Sequence, residues 1–256
     1  MRHSFFFCLM TAALAIPVHA ADGHPDLSGV WAYAIDLPPG AIRKEVKGSV
    51  SIQKVNRGAT TARTPIRGEL PFTPAPSYKP ALLAKVKSLS DNESKTDQVF
   101  YCGKPGIPRI GPPRKIVQLP REVIFFYEDI SGDPYRLIPS DGRPHRADAN
   151  PTFYGDSVAH WDGDKLVVDV NNFVEDTWFG ENGYFHSDAM HVTERLWRDG
   201  ENLIYQATVD DPKVLTAPWT MPPRVVKPST EPLEESPKCV EDDGKRLQNA
   251  DHHGQR

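Results

Sequence analysis

Basic residues are not in excess, cysteine is scarce, and long apolar stretches are missing after the first eighteen residues. The 256-residue chain carries 30 Lys+Arg against 34 Asp+Glu, a formal net charge of −4. No basic cluster reverses that balance, which excludes a strongly basic nucleic-acid binder. No later run is long and apolar enough to cross a bilayer, so the mature chain is expected to be soluble, without a transmembrane segment. The common catalytic signatures are also missing: no Gly-x-Ser-x-Gly elbow, no phosphate loop, no Rossmann glycines and no His-Glu-x-x-His. What remains, 39% hydrophobic and 25% charged residues, is the composition of an ordinary globular protein. Its 25 prolines and 18 glycines point to many turns and few long helices.

The first twenty residues read as an address. Met1-Arg2-His3 is a short basic opening, Ser4 to Val18 is apolar, and Val18-His19-Ala20 offers small side chains at the cleavage positions. This is the pattern of a secretory signal peptide cut after Ala20, and it implies a periplasmic or secreted protein. The apolar run is too short for a membrane anchor. After cleavage only Cys102 and Cys239 remain, an even pair in an oxidising compartment. Neither has a neighbouring His to activate it as a nucleophile, so a disulfide closing a loop of well over a hundred residues is expected. In the chain-entropy model such a closure is worth about 4–5 kcal/mol.

Residues 21–226 read as one β domain. Strands are expected over Gly29–Ile35, Ser49–Ile52, Lys115–Leu119, Glu122–Glu128, Tyr135–Ile138, Ser157–Trp161, Leu166–Val170, Met190–Trp197 and Leu203–Val209. Asp162-Gly163-Asp164 and Arg198-Asp199-Gly200-Glu201-Asn202 sit between apolar runs, a strong hairpin signal. Arg57 to Lys79 is loop-like. One short helix starts at Pro80, with Leu82, Leu83, Val86 and Leu89 on one face and Ser90-Asp91-Asn92 ending it. The expected fold is all-β: a single antiparallel meander closing as a calycin- or lipocalin-like barrel, or folding as a β-sandwich. The Gly and Trp of Gly29-Val30-Trp31 resemble the first strand of lipocalin-like barrels. Residues 227–256 are expected to form an extended polar tail tethered by Cys239.

Candidate chemistry lies among the polar residues of the strands. Strand alternation sets Met190, Val192 and Leu196 on one face with Glu194, and with His186 and Asp188 if the strand begins early. A carboxylate among Met, Val and Leu is either a general acid or base with a raised pKa, or half of a structural ion pair with an Arg such as Arg136 or Arg195. His186-Ser187-Asp188 imitates half of a facial metal triad, but the third ligand would have to be distant and no other motif supports it. No cofactor is therefore expected, a divalent metal at His186 and Asp188 being the less favoured reading. His160 lies at a strand end and Asp169 closes the partner strand. The polar loop from Asp141 to Ser157 offers His145, Tyr154 and Asp156, although turn chemistry alone explains its composition.

Several blocks resemble those of a family of secreted bacterial proteins. They are Cys102-Gly103-Lys104-Pro105-Gly106-Ile107-Pro108-Arg109, Arg143-Pro144-His145, Gly155-Asp156-Ser157, the run from Trp161 to Asp169, and His186-Ser187-Asp188 with His191-Val192-Thr193-Glu194-Arg195. The resemblance runs from about Cys102 to Trp219. It implies one exported domain and brings neither substrate nor mechanism. The residues themselves suggest an exported enzyme acting on a small organic molecule by acid–base chemistry, a lyase or isomerase before a hydrolase. His186, Asp188 and Glu194 would form its acid–base group, with His160 or Tyr154 polarising the substrate. Trp31, Tyr127, Asp156, Trp161, His191 and Tyr205 are the candidate ligand contacts. The alternative is a lipocalin-like binding protein with an aromatic pocket and no turnover.

Overall fold

The computed structural model describes residues 23–32, 41–46, 49–54 and 74–240, the strands at 41–54 by their backbone alone. The expected signal peptide, the second half of the first expected strand, the Pro-rich stretch from 57 to 73 and the end of the tail lie outside the described residues.

Two antiparallel sheets and one short helix dominate. The elements in chain order are β1 (Gly29–Val30), β2 (Ala41–Val46), β3 (Ser49–Lys54), α1 (Leu83–Asp91) and the single turn α2 (Glu93–Thr96). They continue as β4 (Lys115–Leu119), β5 (Glu122–Phe126), β6 (Tyr135–Pro139), β7 (Asp156–Asp162), β8 (Lys165–Asn171), β9 (His191–Asp199), β10 (Asn202–Asp210), β11 (Trp219–Thr220) and β12 (Arg224–Val226). Sheet A has the order β1-β4-β5-β6; sheet B has the order β11-β10-β9-β8-β7, with β12 also paired to β10; β2 and β3 form a separate hairpin. Neighbouring strands are mostly consecutive, as in a meander. Both Asp-Gly turns are tight: Asp162 pairs with Lys165 and Asp199 with Asn202, leaving two-residue loops. The first loop residues, Gly163 and Gly200, have φ of +58° and +59°, where a side chain is disfavoured.

Helix formation begins at Pro80 as a 3₁₀ turn, Pro80–Leu82, before α1 takes over. The tighter turn shifts the phase of the apolar face. Leu82, Val86 and Leu89 pack against the core, whereas Leu83, expected with them, is 54% exposed. The short strands β2, β11 and β12 carry too little alternation to be read from sequence.

Alternation fills the space between the sheets. Sheet B contributes Leu166, Val168, Val170, Val192, Leu196 and Tyr205, and sheet A contributes Ile116, Val123, Phe125 and Ile138, all buried. Along one side the sheets are stitched by backbone: Trp31 N–H donates to Arg114 C=O (2.8 Å), Ala32 N–H to Lys227 C=O (2.7 Å) and Ser229 N–H to Val30 C=O (2.8 Å). Along the other side β6 and β7 meet through side chains without a ladder, so the sheets do not close into a barrel. Cys102 and Cys239 are bonded across a sequence separation of 137 residues, fixing the chain after β12. Ser236 N–H and the Glu234 N–H strap the same segment to Asp133 and Glu128.

One ionic interaction crosses the core. Arg136 on β6 (5% exposed) and Glu194 on β9 (0%) form an ion pair at 2.7 Å. Tyr205 O–H donates to the other Glu194 oxygen at 2.9 Å, and Arg136 donates to Tyr127 Oη at 3.1 Å and Ser157 Oγ at 2.7 Å. Burial pushes both tyrosines well above their usual range, so they stay protonated. Of the two roles open to Glu194, the geometry is that of the structural ion pair.

Two stability measurements follow. Glu194→Ala should cost about 3–5 kcal/mol, because it strands the Arg136 charge in the core. Combining it with Arg136→Leu should cost clearly less than the sum of the single losses in denaturant titration; simple additivity would mean the pair does not act as a unit. Reducing the disulfide should lower the melting temperature, consistent with about 4–5 kcal/mol for so long a loop; an unchanged melting curve would show that the crosslink does not constrain the unfolded chain.

Candidate functional site

The side chains that alternate outward from sheet B carry the most concentrated polar cluster. Cross-strand pairing puts Val158, Asp169, Thr193 and Thr208 in one row. His191, the first residue of β9, lies on the same face two residues from Thr193. The loop after β6 then folds over one end of this face. Asp141 anchors it through Arg121 (2.8 Å) and Arg143 (2.7 Å), and Asn172 Nδ2 donates to Ala149 C=O at 2.7 Å. Gly155 lets the loop close against β8. Its φ is +68°, and a Cβ there would lie 2.5 Å from Asn171 O.

This folding assembles an alternating chain of acids and imidazoles. Asp156 Oδ2 meets His145 Nδ1 at 2.9 Å, and His145 Nε2 lies 3.5 Å from Asp169 Oδ1. The same Asp169 oxygen is contacted by His191 Nε2. Arg146 closes the far end, its Nε donating to Asp156 Oδ1 at 2.7 Å. Burial alone would raise the pKa of Asp156, but hydrogen bonds from Arg146 and His145 hold it below its ordinary value. Burial is likewise outweighed at Asp169 by the bonds and charges of His191 and His145. The bond to Asp169 raises His191 above its ordinary value against the opposing effect of burial, with Asp210 adding to the shift.

The cluster has the parts that proton transfer needs, an imidazole set against a carboxylate. His145 and His191 both present Nε2 to the same Asp169 oxygen. Among the described residues no set of three His, Cys, Asp or Glu could hold a metal ion. His191 engages Asp169 through Nε2, and its Nδ1 has no partner among the described residues. A neutral ring donating Nε2–H to Asp169 carries its lone pair on Nδ1; on taking a proton it becomes an imidazolium already facing a carboxylate. No hydroxyl or thiol among the described residues bonds to His191, so the pair is not arranged to activate a nucleophile of the protein.

The expected acid–base set of His186, Asp188 and Glu194 is not brought together. Glu194 is committed to Arg136 and Tyr205. Asp188 has a 62% exposed side chain paired with Lys213, because β9 begins only at His191. His186 is buried in the preceding loop, its Nδ1 2.9 Å from Ser187 C=O and its Nε2 2.6 Å from Thr177 Oγ1. Desolvation lowers its pKa, which opposes protonation. Tyr154 is half-buried, and burial pushes its phenol up. His160 is exposed on the outer face of β7, and Trp161 is stacked on His24 at 4.6 Å. Trp31, Tyr127 and Tyr205 are packed in the core. Of the expected ligand contacts, Asp156 and His191 do meet, joined by His145 and Asp169. Those four come from four different blocks of the secreted-family resemblance. The signal that links Asp169 to His191 is their shared outward phase on adjacent strands. Compared with known protein families, curated proteins and solved structures, the chain matches none.

The two buried or bonded histidines should titrate in opposite directions. A raised His191 pKa stabilises the fold fully below about pH 6.5, and that contribution fades as pH rises through the folded value. A lowered His186 pKa leaves its contribution full above about pH 6.5 and diminishing below. In ring NMR titrations the His191 midpoint should lie above 6.5 and fall in Asp169→Asn, with His186 below. A His191 midpoint indifferent to Asp169→Asn would dissolve the pair.

Proposed function

We propose that this chain is an exported enzyme that moves a proton on a small organic molecule, with His191 as the acid–base group. The observation that carries this reading is the one-sided engagement of His191: Nε2 is held against Asp169, and Nδ1 has no partner among the described residues. Asp169 would hold the tautomer and stabilise the imidazolium, while His145, Asp156 and Arg146 hold Asp169 in place. Chemistry of this kind suits a lyase or isomerase, which shifts protons within or between bound groups, before a hydrolase. Export rests on the signal-peptide pattern from Met1 to Ala20. Among the described residues no helix is long and apolar enough to cross a membrane. A lipocalin-like binding role has less support, since Trp31, Tyr127 and Tyr205, its expected pocket, are themselves core.

The test is loss of turnover at one atom. Purified mature protein is incubated with a small-metabolite mixture, and consumed and formed species are followed by mass spectrometry. His191→Gln should reduce any turnover by roughly a hundredfold or more while the melting temperature is kept. Turnover that persists in His191→Gln, or its complete absence in the wild type across such mixtures, would overturn the proposal.

A further inference from the structure

Arg195 stands apart from the other arginines of the described residues. Arg109, Arg114, Arg121, Arg136, Arg143 and Arg146 each bond a carboxylate. Arg198 donates to the carbonyls of Asp26 and Glu201, and Arg224 is also engaged. Arg195 has neither a carboxylate nor a carbonyl partner among the described residues. It is nevertheless half-buried, on the outer face of sheet B, where its direct cross-strand neighbours are Val167 and Gln206. An arginine held at a partly desolvated surface with an unused fork of donors is suited to binding a planar or tetrahedral anion.

Its surroundings reinforce this. Val167 points outward yet is only 6% exposed, which the aliphatic stems beside it help to explain. Beyond Val167 in the same row stands His160, exposed and also without a protein partner. The next row offers the Thr193 hydroxyl and that of Thr208, which also shares a hydrogen bond with Thr220 Oγ1 at 3.0 Å. On this face Asp169 is compensated by His191 and His145 and Asp156 by Arg146 and His145, while Asp210 stands directly opposite His191. Arg195 is therefore one of two Lys/Arg residues of strands β7 to β10 on this face with no carboxylate partner among the described residues, the other being Lys165, whose Nζ lies 4.6 Å from the Trp197 ring centre. Arg195 shares strand and phase with His191 four residues away, a separation of about 13 Å along a strand, part of which the long arginine side chain spans.

We propose that Arg195 is the anchor for an anionic group of the substrate, so that the molecule on which His191 acts is a small organic anion, a carboxylate or a phosphate ester. The identification of the seat as a substrate subsite rests on the reading of His191 as the proton-transfer group; the anion seat itself does not. His160 and the two threonines supply further donors around the same group.

Succinate and inorganic phosphate serve as probes. Each is titrated into the mature protein at constant ionic strength, with backbone amide shifts followed by NMR, for wild type, Arg195→Met, Arg195→Lys and His191→Gln. Wild type should show saturable shifts at Thr193, Arg195 and Gln206. Arg195→Met, which keeps a stem over Val167, should weaken binding at least tenfold. Arg195→Lys, which keeps the charge but loses the fork, should fall between and covers the case in which the Met variant does not fold. Response to succinate alone indicates a carboxylate seat, and response to phosphate alone a phosphate seat. Absence of saturable shifts with both probes in wild type, or equal binding by wild type and both Arg195 variants, would overturn the anchor. His191→Gln should still bind the probe. If that variant also keeps turnover, the proton-transfer reading fails while the anion seat stands.

Discussion

The Arg136–Glu194 pair is the constraint around which the sandwich is organised. A guanidinium and a carboxylate withdrawn from water are tolerable only in register with each other and with further hydrogen-bonding groups. Their partners come from four strands and one loop start: Arg136 from β6, Glu194 from β9, Tyr205 from β10, Ser157 from β7 and Tyr127 from just beyond β5. A slip of β6 or β9 by one residue would turn a charge outward and a hydrophobic residue to water, and a slip of β7 or β10 would take away a hydroxyl that bonds the pair. Apolar contacts supply the bulk of the driving force, but they are forgiving of small displacements. The ionic network is not, and it sits where β6 and β7 lack a backbone ladder to align them.

The same alternation that buries Glu194 exports its neighbours. On β9 the residues at 192, 194 and 196 face the core, and those at 191, 193 and 195 face out. One strand therefore carries both the interior lock and the outer cluster. Rigid support for His191 comes from the paired strands beneath it, and its electrostatic setting comes from a loop laid over the strand ends. A scaffold with a fixed register and a polar loop folded back on it is a common way to hold reactive side chains at fixed separation.

Much of the architecture was legible because it depends on local rules. Period-two patterning marks β4 to β10, and the Asp-Gly turns mark two of their connections. The inward phase of Glu194 could also be read, and since a carboxylate between Val192 and Leu196 demands compensation, an ion pair with Arg136 or Arg195 was one of the two roles open to it; which arginine answers is decided by the packing of β6 on β9. The acid–base set was misjudged at one step: extending β9 back to His186 carried Asp188 into the core, whereas the strand starts at His191 and Asp188 lies in solvent. Strand ends are set by hydrogen bonding to neighbours, which a single segment does not encode. His145 and Asp169 could be named as polar residues, but their meeting depends on how the 141–155 loop folds back over β8. That path is fixed by contacts among distant residues such as Asn172 and Ala149.

The stitching of Val30–Ala32 to Lys227–Ser229 has a consequence for how the chain reaches this state. Residues near the beginning find their hydrogen-bonding partners only after nearly the whole polypeptide has been made. A nascent chain that has emerged as far as β10 still lacks β12, so one edge of that strand is bare and β1 has only β4 beside it. Contacts so distant in sequence are slow to form, and they withhold the final cooperative step until the last segment arrives. Completion of this edge is thus timed by synthesis of the segment from β12 to Ser229.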